Sequence, residues 1–526
     1  MRLLQRPSRR TADRAVTRTL GATSVAVVSL FAALASMAVG AFAARAPRQE
    51  SAAPAPTAPA APVAPRNVVL ITLDTVRADH LQSYGYFRDP MPALERFAAD
   101  CVRVTRCIAP ASHTTPSHAS LFTSTYPLEH GIVGNSINES GAGPKFFHLD
   151  TGPSLRTLAQ AAHEAGRRTG GFVAATPLKR FTGIQQGFAA WSEPRSTRRV
   201  GEQVIREALR FINAGDEPFL LFVHLYDAHG PYQPEPFGPP EFIDHYGGEP
   251  ALDEWLKERR IGATSGGRGS KKYSSIDTCN QYAGSMRFLD ESLRPLLERL
   301  ARPDRAADTV VAITSDHGQG LGQHGFRGHG ILWDEQLHVP LFLRIPGRAA
   351  VTLDRVCSTI DVVPTLAGAV SGLVPPDFLE QLRGQDLLAA DYSPQPVFSF
   401  AVEAFGLDAV TRGQWKLIRK PGGTVELFDH AADPFELKNV AAKQPDLAGE
   451  LVALLDEEKR GQLARAKRHR AQAAAAAALD PALARELAEL GYGAGGENTE
   501  DGAIDGADGE GDGDAADADE GDGGVR

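Results

Sequence analysis

Asn67-Val68-Val69-Leu70-Ile71-Thr72-Leu73-Asp74 is a continuous apolar run closed by an acid, and its reading decides the fold. A segment apolar on both faces suits a strand covered on both sides, as in a parallel sheet. Two further runs share the form. Phe219-Leu220-Leu221-Phe222-Val223 leads into His224-Leu225-Tyr226-Asp227-Ala228-His229, and Thr309-Val310-Val311-Ala312-Ile313-Thr314 leads into Ser315-Asp316-His317-Gly318. Helical periodicity fills the intervals, over residues 92–100, 154–166, 200–214 and 277–301. Strand, helix and strand alternate. The expectation is an α/β fold with a doubly wound, mostly parallel sheet, continued by apolar stretches at 339–345 and 361–370. Ligands of such sheets gather outside the carboxyl ends of strands, where Asp74, His224, His229, Asp316 and His317 all fall. Taken singly, each has a bland reading as well: a strand-end Asp caps the following helix, and a histidine is structural or solvated.

Between the first two strands lies Ser112-His113-Thr114-Thr115-Pro116-Ser117-His118-Ala119-Ser120-Leu121. Pro116 suits a first helical position and predicts a short helix over 117–123, with Thr114 just ahead of it. Amide hydrogens and the positive end of the helix dipole favour an anion there and lower the cost of an alkoxide. An ordinary Thr-Thr cap is the competing reading. Two carboxylates (Asp74, Asp316), one imidazole (His317) and one hydroxyl (Thr114) together suit a divalent cation.

The ends of the chain differ from its body. Residues 1–66 carry nine arginines against Asp13 and Glu50, a net charge of about +7, whereas the segment from Glu497 onward has twelve acids against Arg526, about −11. From a total of −10, the body keeps about −6, which excludes a duplex-binding surface, so no nucleic acid partner is expected. Residues 1–18 read as a basic cytoplasmic head. Residues 19–44, free of charge, read as a transmembrane anchor or as a signal peptide cut near Ala41-Phe42-Ala43. Both readings carry the body across a membrane and make it extracytoplasmic, periplasmic or at the cell surface. Residues 45–65 form an Ala/Pro linker, 66–393 the catalytic domain with a long loop over the site at 233–274, and 394–492 a smaller antiparallel subdomain with helices at 451–472 and 480–490. Residues 493–526 form an acidic tail too polar to build a core, and it is expected to be disordered. Four cysteines without Cys-x-x-Cys spacing give no zinc site and no indicated disulfide.

With these motifs in order, the chain resembles the sulfatase family of the alkaline phosphatase superfamily over nearly all of residues 66–492. Val68 to His80 carries the resemblance first, then Thr114 to Thr123 with Tyr126-Pro127 and His130-Gly131, and His224 to Tyr232. Thr314 to Gly318 follows with Leu321 to Gly325, then Asp361 to Leu366, Glu426 to Asp429 with Asp433-Pro434, and Glu489 to Tyr492. The resemblance implies one divalent metal ion on Asp74, Asp316 and His317, with Thr114 completing its shell. Ca2+ is the family's usual ion, with Mn2+, Mg2+ or Zn2+ as alternatives. It implies that His229 contacts the ester and assists the leaving group, with His224 beside it. His329, within Gly328-His329-Gly330, stands roughly where many members place an anion-binding Lys, and a bland polar loop residue is the alternative.

Departures from the pattern qualify the chemistry. Most sulfatases have Cys or Ser at the position of Thr114 and convert it to formylglycine, with Pro two residues on and Arg four residues on. Here His118 replaces the Arg, and Thr75 replaces the second acid of the usual Asp-Asp. Threonine cannot become that aldehyde, so no formylglycine is expected. The resemblance then implies a membrane-anchored or exported hydrolase of sulfate or phosphate esters, acting on an anionic substrate through a metal-bound Thr nucleophile. The alternatives are a transferase of phosphoglycerol or phosphoethanolamine type acting on an envelope glycan or lipid, and a catalytically silent binding protein of this fold.

Overall fold

The opening run is a strand, β1 (Asn67–Leu73), buried at all seven positions. Val68 and Leu70 enter one apolar layer and Val69, Ile71 and Leu73 the other, so both faces exclude polar side chains. A computed structural model describes residues 64–139, 143–232, 239–266 and 272–478. After β1 come α1 (Pro92–Ala98), β2 (Val102–Ile108), α2 (Thr114–Thr123), α3 (Leu158–Glu164), β3 (Arg168–Phe172), β4 (Ala190–Ser192), α4 (Gly201–Ile212) and β5 (Phe219–Leu225). The chain continues with α5 (Ser275–Ala301), β6 (Thr309–Thr314), β7 (His338–Val339), β8 (Leu341–Arg344), β9 (Val351–Ser358) and α6 (Val362–Ala369). Last come β10 (Val397–Ala401), β11 (Leu407–Arg412), β12 (Trp415–Arg419), β13 (Val425–Asp429) and α7 (Pro445–Ala478).

The main sheet has nine strands in the order β7-β2-β8-β6-β1-β5-β3-β4, with β9 also on β2. From β6 through β1, β5 and β3 to β4 every pairing is parallel. Thr72 lies opposite both Thr314 and His224, so the three strands end side by side. The fold class is therefore as expected: a mostly parallel sheet covered by helices, with a separate antiparallel sheet β10-β11-β12-β13 near the C-terminus.

Several expectations are corrected. The stretch at 339–345 does not extend the parallel order, because β8 runs antiparallel to both β6 and β2. β7 and β8 run in the same direction along β2, interrupted only at Pro340, and the chain returns to them from β6 through residues 315–337 without a long crossover helix. Residues 361–370 continue the alternation as the helix α6. The supposed loop at 233–274 holds two helices, Pro240–Ile243 and Pro250–Glu258. Leu252, Trp255 and Leu256 bury the second of these, and a Cβ on Gly284 of α5 would lie 2.2 Å from the Phe242 carbonyl oxygen. Glycine is what lets the first approach α5 so closely.

The C-terminal sheet contains a strand absent from the expectation, β11, whose Leu-Asp-Ala-Val-Thr-Arg sequence alternates weakly. That sheet docks on the chain just ahead of α2. Phe400 N–H donates to Pro110 O at 2.9 Å and the Ser399 hydroxyl to Ala109 O at 2.7 Å. The predicted helix at 451–472 is part of the longer α7. The basic head, the uncharged run at 19–44, residues 45–63 of the linker, the helix at 480–490 and the acidic tail lie outside the described residues. Among the described residues no helix is long and apolar enough to cross a membrane.

Candidate active site

The parallel register brings Asp74 beside the ends of β5 and β6, and Asp74 N–H donates to Leu225 O at 2.9 Å. Ser315 ties the third strand in, its hydroxyl 2.5 Å from Leu73 O and 2.7 Å from His317 O. Thr75 has φ +58°, a left-handed conformation that costs a β-branched residue about 1–3 kcal/mol. In that conformation its N–H donates to Asp316 Oδ1 at 3.2 Å. His317 N–H donates to the same oxygen at 2.9 Å.

One oxygen of each acid, Asp74 Oδ1 and Asp316 Oδ2, is buried without a hydrogen-bond partner. Burial and the neighbouring Asp316 charge push the Asp74 carboxyl well above the usual carboxylate range. His317 donates Nδ1–H to Gly318 O at 2.9 Å, which leaves the Nε2 lone pair facing the acids. One ligating atom from each of Asp74, Asp316 and His317 falls within 4.8 Å of the others. Two orphaned carboxylate oxygens and an oriented imidazole in a buried pocket fit a divalent cation.

Helix α2 starts earlier than its proline suggests, at Thr114, and all ten of its residues are buried. His113 is the N-cap and its side chain makes no cap bond, while the Thr114 and Thr115 hydroxyls point to Asp74 and Pro177 O, so the Thr-Thr cap reading fails. The Thr114 hydroxyl instead reaches the acids, 3.4 Å from Asp74 Oδ2 and 3.4 Å from His317 Nε2. The expected set of open amides is reduced: Thr115 N–H is taken by Asn135 Oδ1 and Ser117 N–H by His113 O, while Pro116 has none.

Four further histidines surround this centre. His118 and His224 lie behind it. His118 donates Nδ1–H to Thr114 O at 2.8 Å and accepts at Nε2 from the Thr72 hydroxyl at 2.9 Å. His224 accepts at Nδ1 from Ala174 N–H at 3.3 Å and so donates Nε2–H to Asp74 Oδ2 at 3.1 Å. Burial lowers the pKa of both rings, His224 further with His118 beside it, in keeping with these neutral tautomers.

In front stand His229 and His329. His229 Nδ1 is 2.5 Å from Gly230 O and His329 Nδ1 is 3.0 Å from Ser112 O, so both Nδ1 atoms are donors. Their Nε2 atoms then face each other at 3.2 Å, a contact that is attractive only with a proton between them. Burial, then His317, His229 and His113, push His329 well below the usual imidazole range.

All eight candidate residues from the sequence therefore converge on one place. Two others were missed. Tyr226 stacks on His229 with ring centroids 4.2 Å apart, and His113 packs edge-on against His329 at 5.3 Å. Their positions between or beside the named motif residues were the only available signal. A second group, Asp334, His430 and Glu436, has metal-like spacing but already contains its cation. Lys416 Nζ sits 2.7 Å from both Asp334 Oδ1 and Glu436 Oε1.

Comparison with known proteins agrees with this geometry. The sulfatase family model matches residues 66–373. The ulvan-active sulfatase of Formosa agariphila is 24% identical over 421 residues, spanning 72% of this chain and 77% of that protein. The solved phosphonate monoester hydrolase of Agrobacterium radiobacter aligns with a TM-score of 0.59 and 23% identity, covering 76% of this chain and 96% of that one. A structure in complex with its substrate D-glucosamine-2-N,6-O-disulfate aligns with a TM-score of 0.59 and 18% identity, over 77% of this chain and 98% of the other. The chain belongs to the sulfatase family, whose members hydrolyse esters with a divalent metal, and is an ester hydrolase of the alkaline phosphatase superfamily fold.

Proposed function

We propose that this protein hydrolyses sulfate or phosphate esters with Thr114 as nucleophile, esters of phosphorus being the better substrates. The observation that carries the reading is the Thr114 hydroxyl, 3.4 Å from both Asp74 Oδ2 and His317 Nε2 at the start of a buried helix. A divalent cation on Asp74, Asp316 and His317 supplies positive charge that lowers the hydroxyl's pKa and neutralises the substrate's non-bridging oxygens. Asp74 Oδ2 orients the hydroxyl. Thr114 Oγ forms the bond to phosphorus as its proton passes to Asp74 Oδ2, the bond to the ester oxygen breaks, and the His229 Nε2 proton passes to the departing alcohol. Water then attacks phosphorus in the phospho-threonine and gives a proton to His229, the bond from phosphorus to Oγ breaks, Oγ recovers the proton held on Asp74, and phosphate leaves.

Phosphorus is favoured over sulfur on chemical grounds. Oxidation at the Cβ of threonine gives a ketone, not the aldehyde of formylglycine, and a sulfo-threonine has no hydrated-aldehyde hydroxyl from which to eliminate sulfate. A phospho-threonine is cleaved by direct attack at phosphorus. The ulvan-active sulfatase and the phosphonate monoester hydrolase are hydrolases, which favours water as acceptor over a glycan or lipid and favours catalysis over silent binding. Export fits the uncharged run at 19–44 behind its arginine-rich head, the catalytic domain then being 66–393 and the C-terminal subdomain 394–492.

The test is a panel of nitrophenyl sulfate, phosphate, phosphodiester and phosphonate esters, each assayed with Ca2+, Mg2+, Mn2+ and Zn2+. At least one phosphorus ester is expected to turn over faster than the sulfate, and Thr114→Ala is expected to lower kcat by about 10³-fold or more. Activity retained in Thr114→Ala removes the nucleophile assignment. A preference for the sulfate ester removes the substrate assignment.

A further inference from the structure

At the opposite end of the sheet, a cleft of about 550 Å³ opens between α1, the last turns of α5 and the turn at 345–350. Its volume lies in the range that holds small organic ligands. Phe97, Leu297 and Ile345 give it an apolar wall, and Arg96, Arg344 and Arg348 a basic one. Arg294 also lines the cleft but is engaged by Glu291 and Glu298, which leaves Asp100, whose charge acts on Arg344, as the one other acid lining the cleft beside three arginines.

Arg344 is the unusual member. It is only 8% exposed, yet among the described residues no carboxylate pairs with it. Its Nη2 donates to Leu300 O at 2.7 Å, and its guanidinium lies 4.8 Å from the centre of the Phe97 ring. Its Nε is buried with no partner. Asp100 acts on it only from beyond ion-pair distance, and a buried guanidinium with an unused donor and no direct ion pair is costly, a cost that a bound oxyanion offsets. Arg344 lies opposite Val311, five residues upstream of Asp316. At ~3.3 Å per residue that is about 16 Å from the catalytic acids, too far for one small molecule to span.

We propose that this cleft is a second binding site, for a small organic oxyanion that presents phosphate or phosphonate to Arg344, Arg96 and Arg348 and an apolar group to Phe97, Leu297 and Ile345. The planar fork of Arg344 matches two oxygens of such an anion, and the two exposed arginines add attraction from the rim.

Phenylphosphonate is a suitable probe, because it has the charge and the ring but no ester bond. Its binding is measured calorimetrically on the full chain in an Asp316→Asn background, where the catalytic acid pair is dismantled. One equivalent is expected to bind, with affinity reduced at least tenfold by Arg344→Met and by the double change Arg96→Ala/Arg348→Ala. Arg344 also caps α5, so the double change at exposed positions keeps the test independent of folding. Absence of binding in the Asp316→Asn background, or binding indifferent to both changes, overturns the site. Nitrophenyl ester hydrolysis by Arg96→Ala/Arg348→Ala with Asp316 intact is expected to equal wild type. A proportional fall instead assigns these arginines to the substrate itself and overturns a separate site.

Discussion

Thr114 shows how little a residue's neighbours in sequence say about its work. The local signal around it predicts a cap, yet its hydroxyl makes no capping bond and turns toward Asp74 and His317. Asp74, Asp316 and His317 were legible because each ends a strand with an unmistakable apolar pattern. The roles of His118 and His224 were not, since both depend on backbone groups far away in sequence, Thr114 O for one and Ala174 N–H for the other. His224 carries a prediction at this scale. Its Nε2–H fixes Asp74 Oδ2, so His224→Phe is expected to weaken divalent-cation affinity by about 10- to 100-fold in a calorimetric titration. Unchanged affinity would reduce His224 to a packing residue.

Among the elements, β1, β5 and β6 were readable because burial on both faces leaves a one-sided composition. The strands β7 and β8 share that composition but not that direction, since direction is set by the connection at 315–337 and by pairing with β2. Strand β11 was hidden for the opposite reason: Asp408 is buried in an ion pair with Arg419, which breaks the apolar pattern. The docking of the C-terminal sheet also lies at this scale. Ser399→Ala leaves the buried Ala109 carbonyl without its donor, one strand end away from the nucleophile turn. A stability loss of about 1–2 kcal/mol is expected, read as a lower urea midpoint with an unchanged m value. A midpoint equal to wild type would show that the Phe400 backbone bond alone holds the docking.

Across the whole molecule, α7 is held to the core through Glu129, a buried carboxylate just beyond α2. Arg383 approaches it at 2.9 Å, Arg465 at 2.6 Å and His469 at 3.3 Å. Burial works to raise its pKa, but hydrogen bonds from His469 and Arg383 and the arginine charges hold it at about 2, against an ordinary 4.5. A carboxylate depressed in the folded state contributes stability that is complete above pH 4.5 and is lost as the pH falls through about 2. The shift corresponds to about 3 kcal/mol. Glu129→Gln is therefore expected to cost about that much at pH 7 in urea unfolding, with the deficit shrinking below pH 4.5 and nearly gone at pH 2. A deficit independent of pH would mean that packing, not charge, holds α7. The sequence by itself determined the class of fold, the family and the three strand ends that bear Asp74, His224 and Asp316, because burial on both faces and chemistry at a strand terminus are local properties of the chain. Only the tertiary structure decided that Thr114 faces the acids rather than capping its helix, that His118 and His224 stand behind the centre while His229 and His329 meet through their Nε2 atoms in front, and that Lys416 occupies the other acidic cluster. Those outcomes depend on which donor meets which acceptor across hundreds of residues, and no local pattern encodes that.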